Sequence, residues 1–344
     1  MEKFENYSQA LEFLQEKPLK WLVTGGAGFI GSNIAETLIR NNQNVLVVDN
    51  FITGHQKNID ELIKVAADYP KSKFEFIEGD IRDYQSCLKW TEGVDKVMNQ
   101  AALGSVPRSM KDPLNSHDHN VNGFINILNA CKENGADLVY ASSSSVYGDS
   151  PKLPKVEAET GNPLSPYAAT KAINELYADV FARAYGMKVV GLRYFNVFGP
   201  RQDPDGPYAA VIPKWIQLCL RAEAPEIYGD GETSRDFCFV DNAVQANLMA
   251  ALNISAAEPA QVFNVAAERQ TSLNQLFEYI QTNLKTHKPE YNLVEPTYKD
   301  FRAGDIRHSL ANITAARSTI SYNPEFDVEM GLKKCTLWYI ENLG

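Results

Sequence analysis

Short β-rich runs alternate with helical patterns through the first 194 residues, and a glycine cluster follows the first run. The runs are Trp21–Thr24, Val45–Asp49, Phe74–Glu78, Lys96–Asn99, Leu138–Ser142 and Lys188–Tyr194. Helical patterns lie between them at 29–41, 57–69, 84–91, 116–134 and 166–185. Parallel neighbours need a crossover, so this alternation predicts a parallel sheet wound with helices on both faces. The runs are nearly unbroken apolar stretches, as strands covered on both faces require. After residue 196 the pattern loosens, with Gly-, Pro- and Asp-rich loops at 199–209 and 223–236. A strand–helix stretch at 237–265 is expected to return to the sheet. A chain of 344 residues suits two domains. The sheet domain is expected over 1–196 and 237–265. A smaller, discontinuous second domain is expected over 197–236 and 266–344.

The glycine cluster reads Thr24-Gly25-Gly26-Ala27-Gly28-Phe29-Ile30-Gly31. It fits two spacings, Gly26-x-Gly28-x-x-Gly31 and Gly25-x-x-Gly28-x-x-Gly31. Both place glycines where a strand turns into a helix and backbone N–H groups approach a pyrophosphate. Asp49 closes the next strand, where a carboxylate accepts hydrogen bonds from both ribose hydroxyls and repels a 2′-phosphate. No arginine follows in Asn50-Phe51-Ile52-Thr53-Gly54. The reading is a Rossmann-type α/β domain that binds NAD in preference to NADP. Asp80-Ile81, after the third strand, lies where a loop meets the adenine.

Composition narrows the remaining classes. The net charge of −10 opposes general nucleic-acid binding. Five scattered cysteines without C-x-x-C spacing argue against a disulfide frame or a zinc site. No apolar run approaches the ~18 residues of a membrane helix. Glu2, Glu5, Glu12 and Glu16 make the N-terminus unlike a signal peptide. Phe4, Tyr7, Leu11 and Leu14 predict an amphipathic helix over 3–16. The cytoplasm is the default address.

Tyr167 and Lys171 are four apart on a predicted helix and share a face. Tyr167 follows Pro166 at the helix start, where the dipole, the Lys171 ammonium and a nicotinamide cation all favour phenolate. A tyrosine of lowered pKa there is a base for an alcohol proton. Ser142-Ser143-Ser144-Ser145 ends the 138–142 strand, and a serine there bridges a substrate hydroxyl and Tyr167.

These residues together resemble the extended short-chain dehydrogenase/reductase family. The marks are the glycine cluster, Asp49-Asn50-Phe51, Gln100-Ala101-Ala102, Ser143 with Tyr147-Gly148, Tyr167-x-x-x-Lys171 and Arg193-Tyr194-Phe195-Asn196. Within it the chain resembles the UDP-hexose 4-epimerases, closest to the branch acting on N-acetylated UDP-sugars. That branch is marked by Gly104-Ser105-Val106-Pro107-Arg108-Ser109, Leu164-Ser165-Pro166-Tyr167, Arg235-Asp236-Phe237 and Gly304-Asp305-Ile306-Arg307-His308-Ser309.

The resemblance implies roles. Tyr167 is the base, Lys171 binds the nicotinamide ribose and lowers the Tyr167 pKa, and Ser143 contacts the sugar 4-OH. NAD is implied to meet Gly25, Gly28, Phe29, Ile30, Gly31, Asp49, Asn50, Gly54, Asp80, Ile81, Gln100, Ala101, Ala102, Asn120, Tyr194 and Val197, besides Tyr167 and Lys171. The sugar and its neighbours are implied to meet Gly104, Ser105, Ser144, Ser145 and Gln202. Asn196 contacts the diphosphate, Ala210 and Val211 meet the nucleotide, and Tyr228 stacks on uracil. Arg235 and Arg302 hold the diphosphate, and Asp305 the uridine ribose. Asn99 departs from the histidine many relatives carry in His-x-Ala-Ala, at no expected loss of activity. Helices 116–134 and 166–185 resemble a pair that forms a dimer interface in the family, so a homodimer is expected.

Sister reactions on this fold also begin by oxidising C4. A 4,6-dehydratase then needs an acid/base pair, normally Asp-Glu after the active Ser or Thr. This chain has Ser144 and Ser145 there, and hydroxyls are poor acids and bases near pH 7. A decarboxylase is expected to carry a carboxylate in the same place. The expected reaction is therefore oxidation, rotation of the 4-keto sugar and re-reduction. Ser309 occupies the implied gate beside the sugar C2 substituent and leaves room for an N-acetyl group. UDP-GlcNAc ⇌ UDP-GalNAc is the expected reaction, with UDP-Glc ⇌ UDP-Gal weaker. The alternatives are the uronic pair UDP-GlcNAcA ⇌ UDP-GalNAcA, which Arg108 or Arg307 would favour, and a nucleotide sensor without catalysis.

Overall fold

The computed structural model describes residues 3–205, 210–301 and 306–343. Its centre is a seven-stranded sheet. The first six strands in chain order are β1 (Lys20–Thr24), β2 (Asn44–Asp49), β3 (Lys73–Glu78), β4 (Lys96–Asn99), β5 (Asp137–Ser143) and β6 (Val189–Tyr194). The seventh is Val262–Val265. Across the sheet the order is Val262–Val265, β6, β5, β4, β1, β2, β3. Every pairing in it is parallel.

Alternate residues of one strand feed opposite cores, because side chains in a strand point up and down in turn. Trp21 and Val23 of β1 belong to one buried cluster and Leu22 to the other. Both faces are thus covered, which is why the strands read as continuous apolar runs. The strand order reverses between β1 and β4. A crevice opens at such a point because the two flanking connections leave in opposite directions.

The 237–265 stretch divides. Val262–Val265 joins the sheet beside β6, whereas Cys238–Phe239 pairs with Val197–Phe198 in a separate two-stranded ladder. The Val240–Leu252 helix between them is buried at every residue but Asp241. It packs against the Phe29–Arg40 helix, and its buried Asn242 and Asn247 side chains are hydrogen-bonded.

A third cluster forms the smaller lobe, with Phe198, Trp215, Ile227, Phe239, Leu276, Leu332 and Tyr339. Ala311, Ile313, Ala316, Ile320 and Tyr322 had been expected in that lobe. They pack instead with the sheet's first cluster.

Two helices differ from expectation. The N-terminal helix is Tyr7–Glu16, started by Asn6, whose side chain accepts from Gln9 N–H. Asn6 is a better cap than helix interior, so Phe4 stays outside. The 116–134 helix is broken into Pro113–His117, a π turn at Asp118–Asn122, and Gly123–Asn134. A short helix at Val106–Lys111 precedes it. No described helix is long and apolar enough to cross a membrane.

All five cysteines are buried. Burial raises each thiol pKa, Cys219 to about 11 and Cys87 to about 12. The native protein is therefore expected to leave Ellman's reagent unreacted at pH 8, and to release five thiols once unfolded. Rapid native labelling of any cysteine contradicts this packing.

Candidate active site

A cleft of about 300 Å³ lies at the switch point. Gly25, Gly28 and Gly31 line it together with Phe29 and Ile30, whereas Gly26 does not. A Cβ on Gly26 would meet Val47 Cγ1 at 2.4 Å, so that residue packs beneath the loop. The three-residue spacing is thus the one that faces the cleft. Gly25 has φ +68°, and a Cβ there would lie 2.6 Å from Ala101 N. A Cβ on Gly31 would lie 2.3 Å from Gly25 O. Gly28 caps the Phe29–Arg40 helix without a side-chain bond. Its first N–H groups therefore remain available to an anion.

Gly31→Ala tests this cradle. The clash is with backbone, which cannot swing aside, and costs about 1–3 kcal/mol. The variant is expected to purify with little bound NAD, measured after acid release. Full NAD content would show that the loop tolerates the extra carbon.

Asp49 ends β2 and lines the cleft. Its carboxylate accepts from Ala27 N–H at 3.0 Å and Phe51 N–H at 2.8 Å. Burial raises its pKa and these bonds oppose the rise. It braces the glycine loop and retains lone pairs for ribose hydroxyls. Gly54 stands behind it, since a Cβ there would lie 2.8 Å from Asp49 Oδ1. Asn50 and Ile81 line the cleft. Asp80 is set back, accepting from Asn50 Nδ2 at 2.9 Å and paired with Arg82 at 2.7 Å. Lys171 is the one lysine or arginine among the described lining residues, so nothing there balances a 2′-phosphate. The glycine cradle and the acid together fit NAD.

The chemistry-bearing side chains stand at the other end. Ser165 caps the Pro166–Tyr185 helix, accepting from Ala168 N–H at 3.1 Å, and Pro166 takes the first helical position. Tyr167 and Lys171 follow on one face and both line the cleft. Lys171 is 3% exposed, and its Nζ donates to Ala141 O at 2.7 Å. Burial lowers its pKa to about 8, opposed by Glu175.

The Tyr167 phenol departs from expectation. Burial raises its pKa and a hydrogen bond with Ser143 lowers it, with the net shift upward. The expected fall is therefore not a property of the chain by itself. The Lys171 ammonium spends a proton on the Ala141 carbonyl and stands 5.9 Å from the Tyr167 ring centre.

The four serines separate. Ser142 is buried and donates to Glu175 Oε1 at 2.5 Å. Ser143 accepts from Ser145 N–H at 3.1 Å, starting the Ser144–Tyr147 turn, and is not among the residues that line the cleft. Ser145 Oγ is buried without a hydrogen-bond partner among the described residues.

Gln100, Ala101, Ala102, Gly104 and Tyr194 line the cleft. Gln100 accepts from Tyr194 Oη at 3.0 Å and donates to Asn247 Oδ1 at 3.0 Å. Asn99 accepts from Thr24 Oγ1 at 2.7 Å inside the sheet and does not reach the cleft. Asn120 also misses it. Its side chain holds both backbone groups of Leu103, at 2.7 and 3.1 Å. His119 lines the cleft in its place. The π turn carries an extra residue and shifts the helical face, so regular periodicity could not have revealed His119.

Of the residues expected around the sugar nucleotide, Asn196, Arg235 and Ser309 are linked through the 234–236 segment. Asn196 donates to Asp236 O at 2.9 Å. Asp236 is fully buried and accepts from Ala267 and Ala311 N–H at 3.0 and 3.1 Å, while burial raises its pKa to about 7. Arg235 donates to Ser234 O at 2.9 Å, and Ser309 N–H donates to that same carbonyl at 3.1 Å. Gln202 donates to the carbonyl of Val197, a residue that does not line the cleft. Ala210 caps the Val211–Leu220 helix. Tyr228 ends a short strand and donates to Glu226 at 2.9 Å. Arg302 and Asp305 lie outside the described residues. Arg307 is paired with Asp230 at 2.6 Å.

The sequence matches the model of the NAD dependent epimerase/dehydratase family over residues 21–266. The chain belongs to that family, and NAD is its cofactor. Among solved structures it resembles a UDP-N-acetylglucosamine 4-epimerase from Methanobrevibacter ruminantium in complex with UDP-N-acetylmuramic acid. The two are 40% identical, with TM-score 0.85, over 95% of this chain and 99% of that one. It also resembles the UDP-glucose 4-epimerase of Thermotoga maritima with UDP-glucose, at 35% identity and TM-score 0.83, over 94% and 99%. UDP-glucuronate 4-epimerase 4 of Arabidopsis thaliana is 32% identical over 338 residues, 93% of this chain and 75% of that protein.

Proposed function

We propose that this chain is a UDP-sugar 4-epimerase that interconverts UDP-GlcNAc and UDP-GalNAc, and UDP-Glc and UDP-Gal more weakly. The observation that carries the reading is that Tyr167 and Lys171 line the same cleft as the glycine cradle and Asp49. Bound NAD supplies the acceptor, and later the donor, of the C4 hydride. Ser143 holds the C4 hydroxyl and Tyr167 takes its proton. Lys171, already among buried groups, holds the nicotinamide ribose. Arg235 and Arg302 grip the diphosphate, about which the sugar turns, and Tyr167 then returns the proton. Ser144 and Ser145 offer no carboxyl beside the active serine, so elimination lacks an acid and a base.

Ser309, half-buried beside Ser234, supports room for an N-acetyl group. One observation favours the uronic pair as a second reading. Arg108 has no carboxylate partner among the described residues, whereas Arg307 is neutralised by Asp230. Purified protein without added NAD, incubated with UDP-GlcNAc and followed by NMR of the anomeric protons, decides. UDP-GalNAc approaching a fixed ratio without net NADH supports the first reading. Turnover of UDP-GlcNAcA alone supports the second. Failure with UDP-GlcNAc, UDP-GlcNAcA and UDP-Glc alike removes both in favour of a dehydrogenase of another sugar or a sensor.

A homodimer is part of the same proposal. Leu176, Tyr177 and Val180 are exposed on the Pro166–Tyr185 helix, and Met110 and Leu114 are exposed on the adjoining 106–117 segment. Apolar area of this kind is buried by a second copy. Light scattering is expected to give twice the chain mass, and a strict monomer at working concentration refutes it.

A further inference from the structure

We propose that Ser109 is a positioning residue for Tyr167, setting where the base stands in the cleft. The inference rests on the reading of Tyr167 as the base. Ser109 is fully buried on the short Val106–Lys111 helix. Its hydroxyl donates to Val106 O at 2.7 Å and accepts from Tyr167 N–H at 3.0 Å, across 58 residues of sequence. The first N–H groups of a helix have no partner within it. Ser165 satisfies that of Ala168, and Ser109 satisfies that of Tyr167. Both hydrogen-bonding roles of the Ser109 hydroxyl are in use, so its orientation is determined.

The other end of this segment is equally fixed. Leu103, on the cleft wall, is held at N–H and C=O by the Asn120 side chain. Asn120 donates in turn to Thr170 of the Tyr167 helix at 3.2 Å. Residues 104–109 therefore bridge two anchored points. Ser105 inside the bridge has φ +102°, a conformation that L residues rarely adopt. Its own hydroxyl accepts from Arg108 N–H at 3.2 Å, and its carbonyl accepts from Ser109 N–H at 3.2 Å. Strain of this kind persists only where the surroundings over-determine it. Here it holds the wall that carries Gly104 at a set distance from the start of the Tyr167 helix.

The test compares Ser109→Ala and Ser109→Thr with wild type and Tyr167→Phe. Ser109→Ala leaves the Tyr167 N–H buried and unpaired, and is expected to lower kcat by about tenfold with KM changed much less. The basic limb of the kcat–pH profile is expected to move, while bound NAD stays at the wild-type level. Ser109→Thr, which keeps the hydroxyl, is expected to restore most of the loss. Amide exchange at Tyr167 is expected to speed up in Ser109→Ala, a readout independent of turnover. Unchanged kcat and exchange, NAD loss in step with activity, or failure of the threonine to rescue would each overturn the proposal. An inactive wild type, or a fully active Tyr167→Phe, instead removes the function reading. Amide exchange then still decides whether Ser109 positions the helix start.

Discussion

Replacing Tyr167 with phenylalanine is expected to lower kcat by about a thousandfold, within the range for a lost general acid–base group. The phenol is the acid–base group that lines the cleft beside Lys171, and a serine hydroxyl has no comparable basicity. Phenylalanine keeps the ring and its packing, and the helix cap depends on Ser165 and Pro166. NAD content and melting temperature are therefore expected to stay near wild type. Single-turnover absorbance at 340 nm with excess enzyme checks the first half of the reaction directly. Full formation of NADH in the variant would remove Tyr167 from the proton path.

Arg193→Met is expected to produce the largest loss of stability. Arg193 meets Glu175 through two hydrogen bonds of 2.9 and 2.8 Å, and both side chains are largely buried. Its third nitrogen donates to Glu157 O at 2.9 Å, and the guanidinium stands 4.9 Å from the Tyr147 ring centre. Removing the cation leaves Glu175 charged and buried, at a cost of about 3–5 kcal/mol. The melting temperature is expected to fall by roughly 4–7 °C in a chain of this size. Adding Glu175→Gln to Arg193→Met removes the stranded charge and is expected to recover part of the loss, as coupled neighbours do. An unchanged melting temperature in the single variant would show that Glu175 is neutral or hydrated there. Glu175 also accepts from Ser142, so the pair braces the strand end that carries Ser143. Some loss of kcat is expected to accompany the loss of stability.

Much of this molecule follows from short-range chemistry that can be read along the chain. The apolar runs and crossovers determine a parallel sheet, since no other arrangement covers both faces of such strands. Gly25, Gly28 and Gly31 follow a strand and open a helix, which determines a phosphate-sized turn. Tyr167 and Lys171 share a face because four residues make about one helical turn.

Tertiary packing alone decided the rest. Gly26 and Gly28 look alike in sequence, and only the Val47 side chain shows which one is filled from below. The four consecutive serines are chemically equal, yet Ser142 lines the cleft and bonds Glu175 while Ser143 caps the Ser144–Tyr147 turn. The π turn moved the cleft face from Asn120 to His119, and a regular period cannot report an inserted residue. The direction of the Tyr167 shift depends on how much of the chain surrounds it. Ser109 meets Tyr167 across 58 positions, with no local pattern linking them. Periodicity and spacing encode what neighbours in sequence do to one another, whereas burial and partner choice arise only when distant segments are brought into contact.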